Sequence, residues 1–384
     1  MNYIDPATGA TYPTDTARWC SDTGGYLNLT PGVGLKRSDI LTTRHSVWRY
    51  AKAIGVDDKH AVTMGEGWTP LTCGEWLSGQ HRAQVMFKLE FMMPTGSFKD
   101  RGMTVMVSYL KSRGIDTVLE DSSGNAGASL SSYAAAAGMR CRILVPESAS
   151  YPKIAQIAAG GADVLTISGT RQDVADAAMR MSHEIFYASH NWQPFFVEGT
   201  KTLAYELWEQ LGFKTPDNVI VPLGYGSNVL GCERGFAELM RNGEIPKMPR
   251  IFGVQAANCA PYFNAWKAGV EHLVPTEATL TIAEGIASSK PTRVVEVLRA
   301  ARNSGGSIVA VSEDEIVAAL GALARKGLYV EPTSAAAGAG LTQLLANGAI
   351  KPSDSTVLVL TGTGLKASEK IGELLNLRAR NLGL

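Results

Sequence analysis

Short runs of β-branched and other apolar residues alternate along the chain with longer stretches in which apolar positions recur every three or four residues, the pattern of strands and amphipathic helices in turn. The short runs predict strands at 85–91, 117–120, 142–145, 164–167, 218–222, 251–255, 307–311 and 356–360. The longer ones predict helices at 98–113, 126–137, 174–183, 202–211, 228–241, 313–324 and 334–346. Most strands lead into a helix, so the order reads as βαβ units and the expected fold is α/β, with open, mostly parallel sheets flanked by helices. Loops at the strand-to-helix junctions then fall on the carboxyl edge, where open α/β sheets bind ligands.

Composition narrows the function classes. A chain of 384 residues suits one or two domains of this kind. Hydrophobic residues make up 45% and charged ones 19%, a globular profile. Lys and Arg number 36, as do Asp and Glu, so no net basic field draws the chain to nucleic acid or to an anionic membrane; a small substrate is expected. No apolar run reaches spanning length, and the N-terminal segment lacks the basic-then-apolar pattern of an export signal. Cys20, Cys73, Cys141, Cys232 and Cys259 show no Cys-x-x-Cys spacing and read as reduced thiols of a cytoplasmic protein, with neither a disulfide framework nor a metal site. His45, His60, His81, His183, His190 and His272 show no ligand spacing and no pairing with a nucleophile, and read as surface or structural residues.

Four junctions carry candidate chemistry. Pro94-Thr95-Gly96-Ser97-Phe98-Lys99-Asp100-Arg101-Gly102 puts a lysine in the first turn of a helix, where the positive end of the helix dipole favours the neutral amine that Schiff-base chemistry needs. An isolated lysine there would read as a snorkelling surface residue. Asp100 and Arg101 read as stabilising the helix start or pairing locally. Ser122-Ser123-Gly124-Asn125-Ala126-Gly127 offers backbone N–H groups at a helix start, suited to a carboxylate, with Asn125 able to donate to a phenolate-like oxygen; an N-cap serine is the plainer alternative.

The third junction, Gly224-Tyr225-Gly226-Ser227-Asn228, has glycines that let amides approach a phosphate. A dinucleotide reading would need an acidic residue closing the next strand, but 251–255 runs into Ala256-Ala257-Asn258, so a monophosphate fits better and a dehydrogenase is disfavoured. The fourth, Thr361-Gly362-Thr363-Gly364, ends an apolar strand in a hydroxyl-bearing turn.

In this order and spacing the four segments resemble the fold type II (tryptophan synthase β-like) pyridoxal-phosphate enzymes, which include threonine synthase, the threonine and serine dehydratases, cysteine synthase and diaminopropionate ammonia-lyase. The resemblance implies pyridoxal 5′-phosphate as cofactor and Lys99 as its Schiff-base lysine and later the base for the substrate's α-proton. It also implies Asn125 beside the 3′ oxygen, Gly224, Tyr225, Gly226, Ser227 and Asn228 around the phosphate, and Thr363 facing the pyridine nitrogen. Ser123, Gly124, Ala126 and Gly127 fall where the substrate carboxylate is bound. A large cofactor-binding domain of 1–113 and 188–384, a smaller mobile domain of 114–187, and a homodimer are expected with it. The intact lysine argues against a catalytically silent cofactor-binding protein.

Within the family the chain is most similar to threonine synthase. Gly65-Glu66-Gly67-Trp68-Thr69-Pro70-Leu71, Glu198-Gly199-Thr200-Lys201-Thr202, Glu331-Pro332-Thr333-Ser334 and the opening, with Tyr12-Pro13 before Cys20, carry that similarity. The activity implied is α-proton abstraction and elimination on a small amino acid, with conversion of O-phosphohomoserine to threonine as one form. One position departs from it. Where threonine synthases commonly have an arginine for the substrate phosphate, two residues before the Glu-Gly pair, this chain has Phe196. Unless Lys201, Arg171 or Ser189 compensates, O-phosphohomoserine is expected to be a poor substrate, and Phe196→Arg is expected to improve its use. The alternative is a deaminating ammonia-lyase or dehydratase, or a β-replacement synthase, acting on serine, threonine or a diaminopropionate-type substrate.

Overall fold

Two strands, Asn218–Pro222 and Thr356–Val359, are buried along their whole length. That is why they read as unbroken apolar runs: a parallel strand with helices on both sides has no wet face. They lie at the centre of a six-stranded sheet in a computed structural model that describes residues 1–79, 81–149, 151–275 and 277–377. The chain divides into two units. One comprises Met1–Trp68, Met93–Glu206 and Arg234–Pro246; the other comprises Thr69–Met92, Leu207–Glu233 and Lys247–Leu384.

The first unit holds a four-stranded parallel sheet in the order Asp163–Ile167, Arg140–Pro146, Thr117–Glu120, Phe186–Tyr187. It also holds a small antiparallel sheet of Thr11–Pro13, Asn2–Ile4 and Asn28–Leu29. Helices Lys99–Ser112, Asn125–Ala137, Tyr151–Ala159, Arg171–Met181 and Pro194–Thr200 belong to this unit. Its core runs through Met103, Met106, Tyr109, Leu130, Tyr133, Ile143, Phe195 and Phe196.

The six strands of the second unit are ordered Ser307–Val311, Arg250–Ala256, Asn218–Pro222, Thr356–Val359, His81–Lys88, Leu71–Ser78, all parallel except the last, which pairs antiparallel with His81–Lys88. Asn218–Pro222 aligns with Thr356–Val359 through Asn218↔Thr356 and Ile220↔Leu358. Both therefore deliver their following loops to one edge of the sheet. Helices Val294–Asn303, Glu313–Ala324 and Pro332–Ala346 pack here, and the core includes Trp76, Phe87, Ile220, Phe252, Leu320 and Leu358. All eight predicted strands and all seven predicted helices are present, with ends shifted by a few residues.

Candidate active site

In the first unit Lys99 opens the helix Lys99–Ser112, directly after Phe98, which is already helical in conformation. The turn before it depends on Gly96 at φ 80°, whose N–H donates to the Met93 carbonyl at 2.8 Å. Asp100, fully buried, accepts from the Thr95 N–H at 2.7 Å, the Thr95 hydroxyl at 2.5 Å and the Ser129 hydroxyl at 2.6 Å. One carboxylate thus secures the lysine turn to the helix Asn125–Ala137. Arg101 does not pair locally as the sequence suggests. It is fully buried and forks onto Glu206 with two bonds of 2.9 Å, and Glu206 also accepts from the Trp68 N–H at 2.8 Å. Planar two-point pairing of this kind orients the helix as well as neutralising both charges.

The Lys99 Nζ lies 4.7 Å from the centre of the Phe98 ring and 5.6 Å from that of Phe196. Phe196 is fully buried on the helix Pro194–Thr200, where its ring occupies the space that a Cβ at Gly102 would enter at 2.4 Å. Gly199 shows why a glycine follows Glu198: a Cβ there would meet the Arg101 carbonyl at 1.9 Å. Lys201 is fully buried and bonds to Glu198 at 2.5 Å and Glu238 at 3.0 Å, with Tyr205 donating to Glu238 as well. Burial works against its charge, but the two carboxylates outweigh it and hold the ammonium above its ordinary range. Arg171 reaches Asp121 at 2.7 Å, and buried Ser189 accepts from the Asn191 N–H at 3.4 Å.

Ser122, Ser123 and Gly124 lead into the helix Asn125–Ala137, with Gly124 at its N-cap and its carbonyl accepting from Ala128 N–H at 3.1 Å. Gly127 must be glycine, since a Cβ would lie 1.9 Å from the Ser122 carbonyl. The loop therefore folds back tightly on the helix start, with the N–H groups of the first turn at its mouth. Glu66, from the Gly-Glu-Gly-Trp stretch, is buried and accepts from the Thr63 hydroxyl, the Met64 N–H and the Tyr133 hydroxyl at 2.7–2.9 Å. Burial raises its affinity for a proton. That motif is structural.

The second unit carries the other two junctions. Gly226 sits at φ 97°, and a Cβ there would lie 2.3 Å from the Val297 Cγ2. A Cβ at Gly224 would lie 3.0 Å from the Gly285 carbonyl. The Tyr225 carbonyl accepts from the Tyr262 hydroxyl at 3.2 Å, and Ser227 begins the helix Ser227–Arg241. Asn228 is buried and its side-chain oxygen position has no protein partner. A half-turn of the amide would present a donor there. Thr363 accepts from the Leu365 N–H at 3.3 Å, capping the turn Gly364–Ala367. Thr361 of the same turn is buried at the strand end with its hydroxyl 3.1 Å from that of Ser334, and Ser334 accepts from the Gly362 N–H at 2.7 Å. The Glu-Pro-Thr-Ser stretch thereby braces this turn.

Among the described residues no cluster of metal-binding side chains occurs, and no helix is long and apolar enough to cross a membrane. None of the five cysteines forms a disulfide.

The family model for pyridoxal-phosphate dependent enzymes matches residues 62–362. The threonine synthase of Methanocaldococcus jannaschii is 35% identical over 93% of this chain and 91% of its own length. That of Methanosarcina acetivorans is 36% identical over 94% and 91%. Among solved structures, a fungal L-serine ammonia-lyase from Rhizomucor miehei shares the fold with a TM-score of 0.68 at 22% identity, covering 80% of this chain and 97% of that one.

Proposed function

From the premise that this chain belongs to the pyridoxal-phosphate dependent enzymes and is a threonine-synthase-like lyase, we propose that it removes the α-proton of a small amino acid at Lys99 and expels a leaving group from the neighbouring carbon. The observation that carries this reading is the position of Lys99: first residue of a helix whose turn is tied down by Asp100, with its amine against two aromatic faces.

The residues fit the cofactor. Gly226 takes a φ of 97° with Val297 packed where a side chain would go, the helix Ser227–Arg241 starts there, and the buried Asn228 carboxamide has an atom awaiting a partner. Gly224, Tyr225, Gly226, Ser227 and Asn228 would hold the phosphate, Asn125 the 3′ oxygen, and a hydroxyl of the 361–364 turn, Thr363 in the family alignment, the pyridine nitrogen. When bound, pyridoxal phosphate serves as the sink for the electron pair left on Cα. Lys99 would hold the cofactor through Nζ, and the same atom would take the substrate's α-proton. Ser123, Gly124, Ala126 and Gly127 bind the carboxylate and so fix which bond to Cα is broken. Residues 114–187 act as a smaller mobile domain against 1–113 with 188–384, and the working form is a cytoplasmic homodimer.

The overall similarity supports O-phosphohomoserine as substrate and threonine as product. A second reading is favoured by one observation. Phe196, at the arginine position, is a buried ring, and nearby Lys201 is committed to two carboxylates, so neither offers a cation to a phosphate. In that reading a hydroxyl or amino group leaves, and ammonia and a 2-oxo acid follow. Purified protein is expected to be yellow, and Lys99→Ala to lose both colour and turnover. Assays of phosphate, threonine, ammonia and 2-oxo acid with O-phosphohomoserine, serine, threonine and diaminopropionate decide between the readings. A colourless wild type that takes up no added cofactor would sink both.

A further inference from the structure

The first unit holds a buried acid and imidazole that the roles above leave unused. Glu120 ends the strand Thr117–Glu120 and is fully buried; His190 lies just beyond Phe186–Tyr187. These two strands are neighbours, while the chain after Glu120 crosses to Arg140–Pro146 on the other side. The carboxyl ends of Thr117–Glu120 and Phe186–Tyr187 therefore flank the switch point of the sheet, the place where ligands sit in open α/β folds. The segment 122–127 starts from the same edge.

Glu120 Oε1 lies 3.2 Å from His190 Nδ1, and Oε2 accepts the His190 backbone N–H at 3.2 Å. The His190 ring stands edge-on to Phe196 with centres 5.5 Å apart, and the Lys99 Nζ lies 5.6 Å from the centre of the same ring. Two groups able to move protons thus meet one aromatic side chain. Asp121, Arg171, Lys99, the Tyr187 phenol and the Cys141 thiol also face the pair. Burial, with Asp121 adding to it, raises the proton affinity of Glu120, and burial lowers that of His190. With a protonated Glu120 donating to Nδ1, the ring proton of a neutral imidazole would sit on Nε2.

We propose that His190 is the acid that protonates the departing oxygen or nitrogen of the substrate, and that Glu120 is the positioning residue that fixes its tautomer and resupplies the proton. This rests on the elimination reading above and names its leaving group: one that must be protonated to leave. As the bond from Cβ to oxygen breaks, its electron pair stays on oxygen and takes the Nε2 proton, giving water. Nδ1 receives the Glu120 proton, leaving a neutral imidazole and a carboxylate, and solvent restores the acid after product release.

The test uses the cofactor-loaded enzyme with L-serine, L-threonine and β-chloro-L-alanine in deuterated water. His190→Gln and Glu120→Gln are expected to lower 2-oxo acid formation from L-serine by about 10²–10⁴-fold, the usual worth of a general acid. Deuterium incorporation at Cα, and elimination of chloride, which needs no proton, should stay near wild type. Nitrogen NMR of the cofactor-free wild type at neutral pH should show His190 protonated on Nε2 only. Equal loss of all three activities in the variants, a wild type that exchanges the α-proton yet releases no water from serine or threonine, or an imidazolium or Nδ1-protonated ring would each overturn the proposal. A wild type that exchanges the α-proton of no amino acid would instead sink the Lys99 reading, and the NMR spectrum alone would then decide the pair.

Discussion

Phe196→Arg is the change that most sharply separates sequence analogy from structure. Read from the sequence alone, it restores a phosphate-binding arginine and should improve turnover of O-phosphohomoserine. In the folded protein Phe196 is fully buried and its ring fills the space over Gly102, so the guanidinium would enter a position closed to solvent. An unpaired buried charge of this kind costs about 3–5 kcal/mol. A charge-assisted contact to phosphate returns only about 1.5–3 kcal/mol. The balance is unfavourable, so the variant is expected to unfold at lower denaturant concentration and to show no gain in kcat/KM for O-phosphohomoserine. Urea unfolding and a phosphate-release assay measure the two quantities. A rise in kcat/KM of about tenfold, equivalent to about 1.4 kcal/mol of transition-state binding, with stability unchanged would refute the reasoning.

Gly226→Val is expected to weaken cofactor binding and, because the residue sits at φ 97° with Val297 where its Cβ would go, to reduce stability by about 1–3 kcal/mol as well. Cofactor titration and thermal unfolding read the two effects, and unchanged cofactor affinity would mean that the phosphate lies elsewhere. Lys201→Met strands the Glu198 and Glu238 carboxylates without their cation and should cost about 3–5 kcal/mol. Because the folded-state pKa of Lys201 is raised, its contribution is fully present below the ordinary lysine value of about 10.4 and is lost as pH rises through the folded value. Wild type should therefore lose stability in strong alkali where the variant does not, and parallel alkaline losses in urea unfolding would contradict this.

The elements legible in the sequence are those whose burial leaves a one-dimensional trace. Asn218–Pro222 and Thr356–Val359 are apolar throughout because both faces are covered. Leu71–Ser78 was missed because it is an edge strand, largely exposed or half-buried, with Thr72, Gly74 and Glu75 breaking any clean alternation. Val294–Asn303 is legible as well, since its buried positions Val294, Val297, Leu298 and Ala301 form an ordinary helical stripe, although it is not among the helices predicted above. Pro194–Thr200 is too short to show periodicity, though Gln193 before a proline marks its start.

The candidate site divides along the same line. Its glycines announce themselves, because only glycine tolerates the backbone approach at Gly127 or the φ of Gly226. Contacts that depend on pairing across the fold leave no such trace. Asp100 reads as an ordinary acidic residue of a first helical turn, yet it joins the lysine turn to Ser129; Arg101 reads as a local partner, yet it meets Glu206. His190 shows no ligand spacing and no pairing with a nucleophile in the sequence, whereas its partner Glu120 lies 70 residues away on the adjacent strand. Phe196 reads as an apolar ring in place of a phosphate-binding arginine, and burial makes it part of the wall against which Lys99 rests. Where the carboxyl edge of the four-stranded sheet brings Glu120 and His190 relative to that wall is a question of strand order that no local motif encodes.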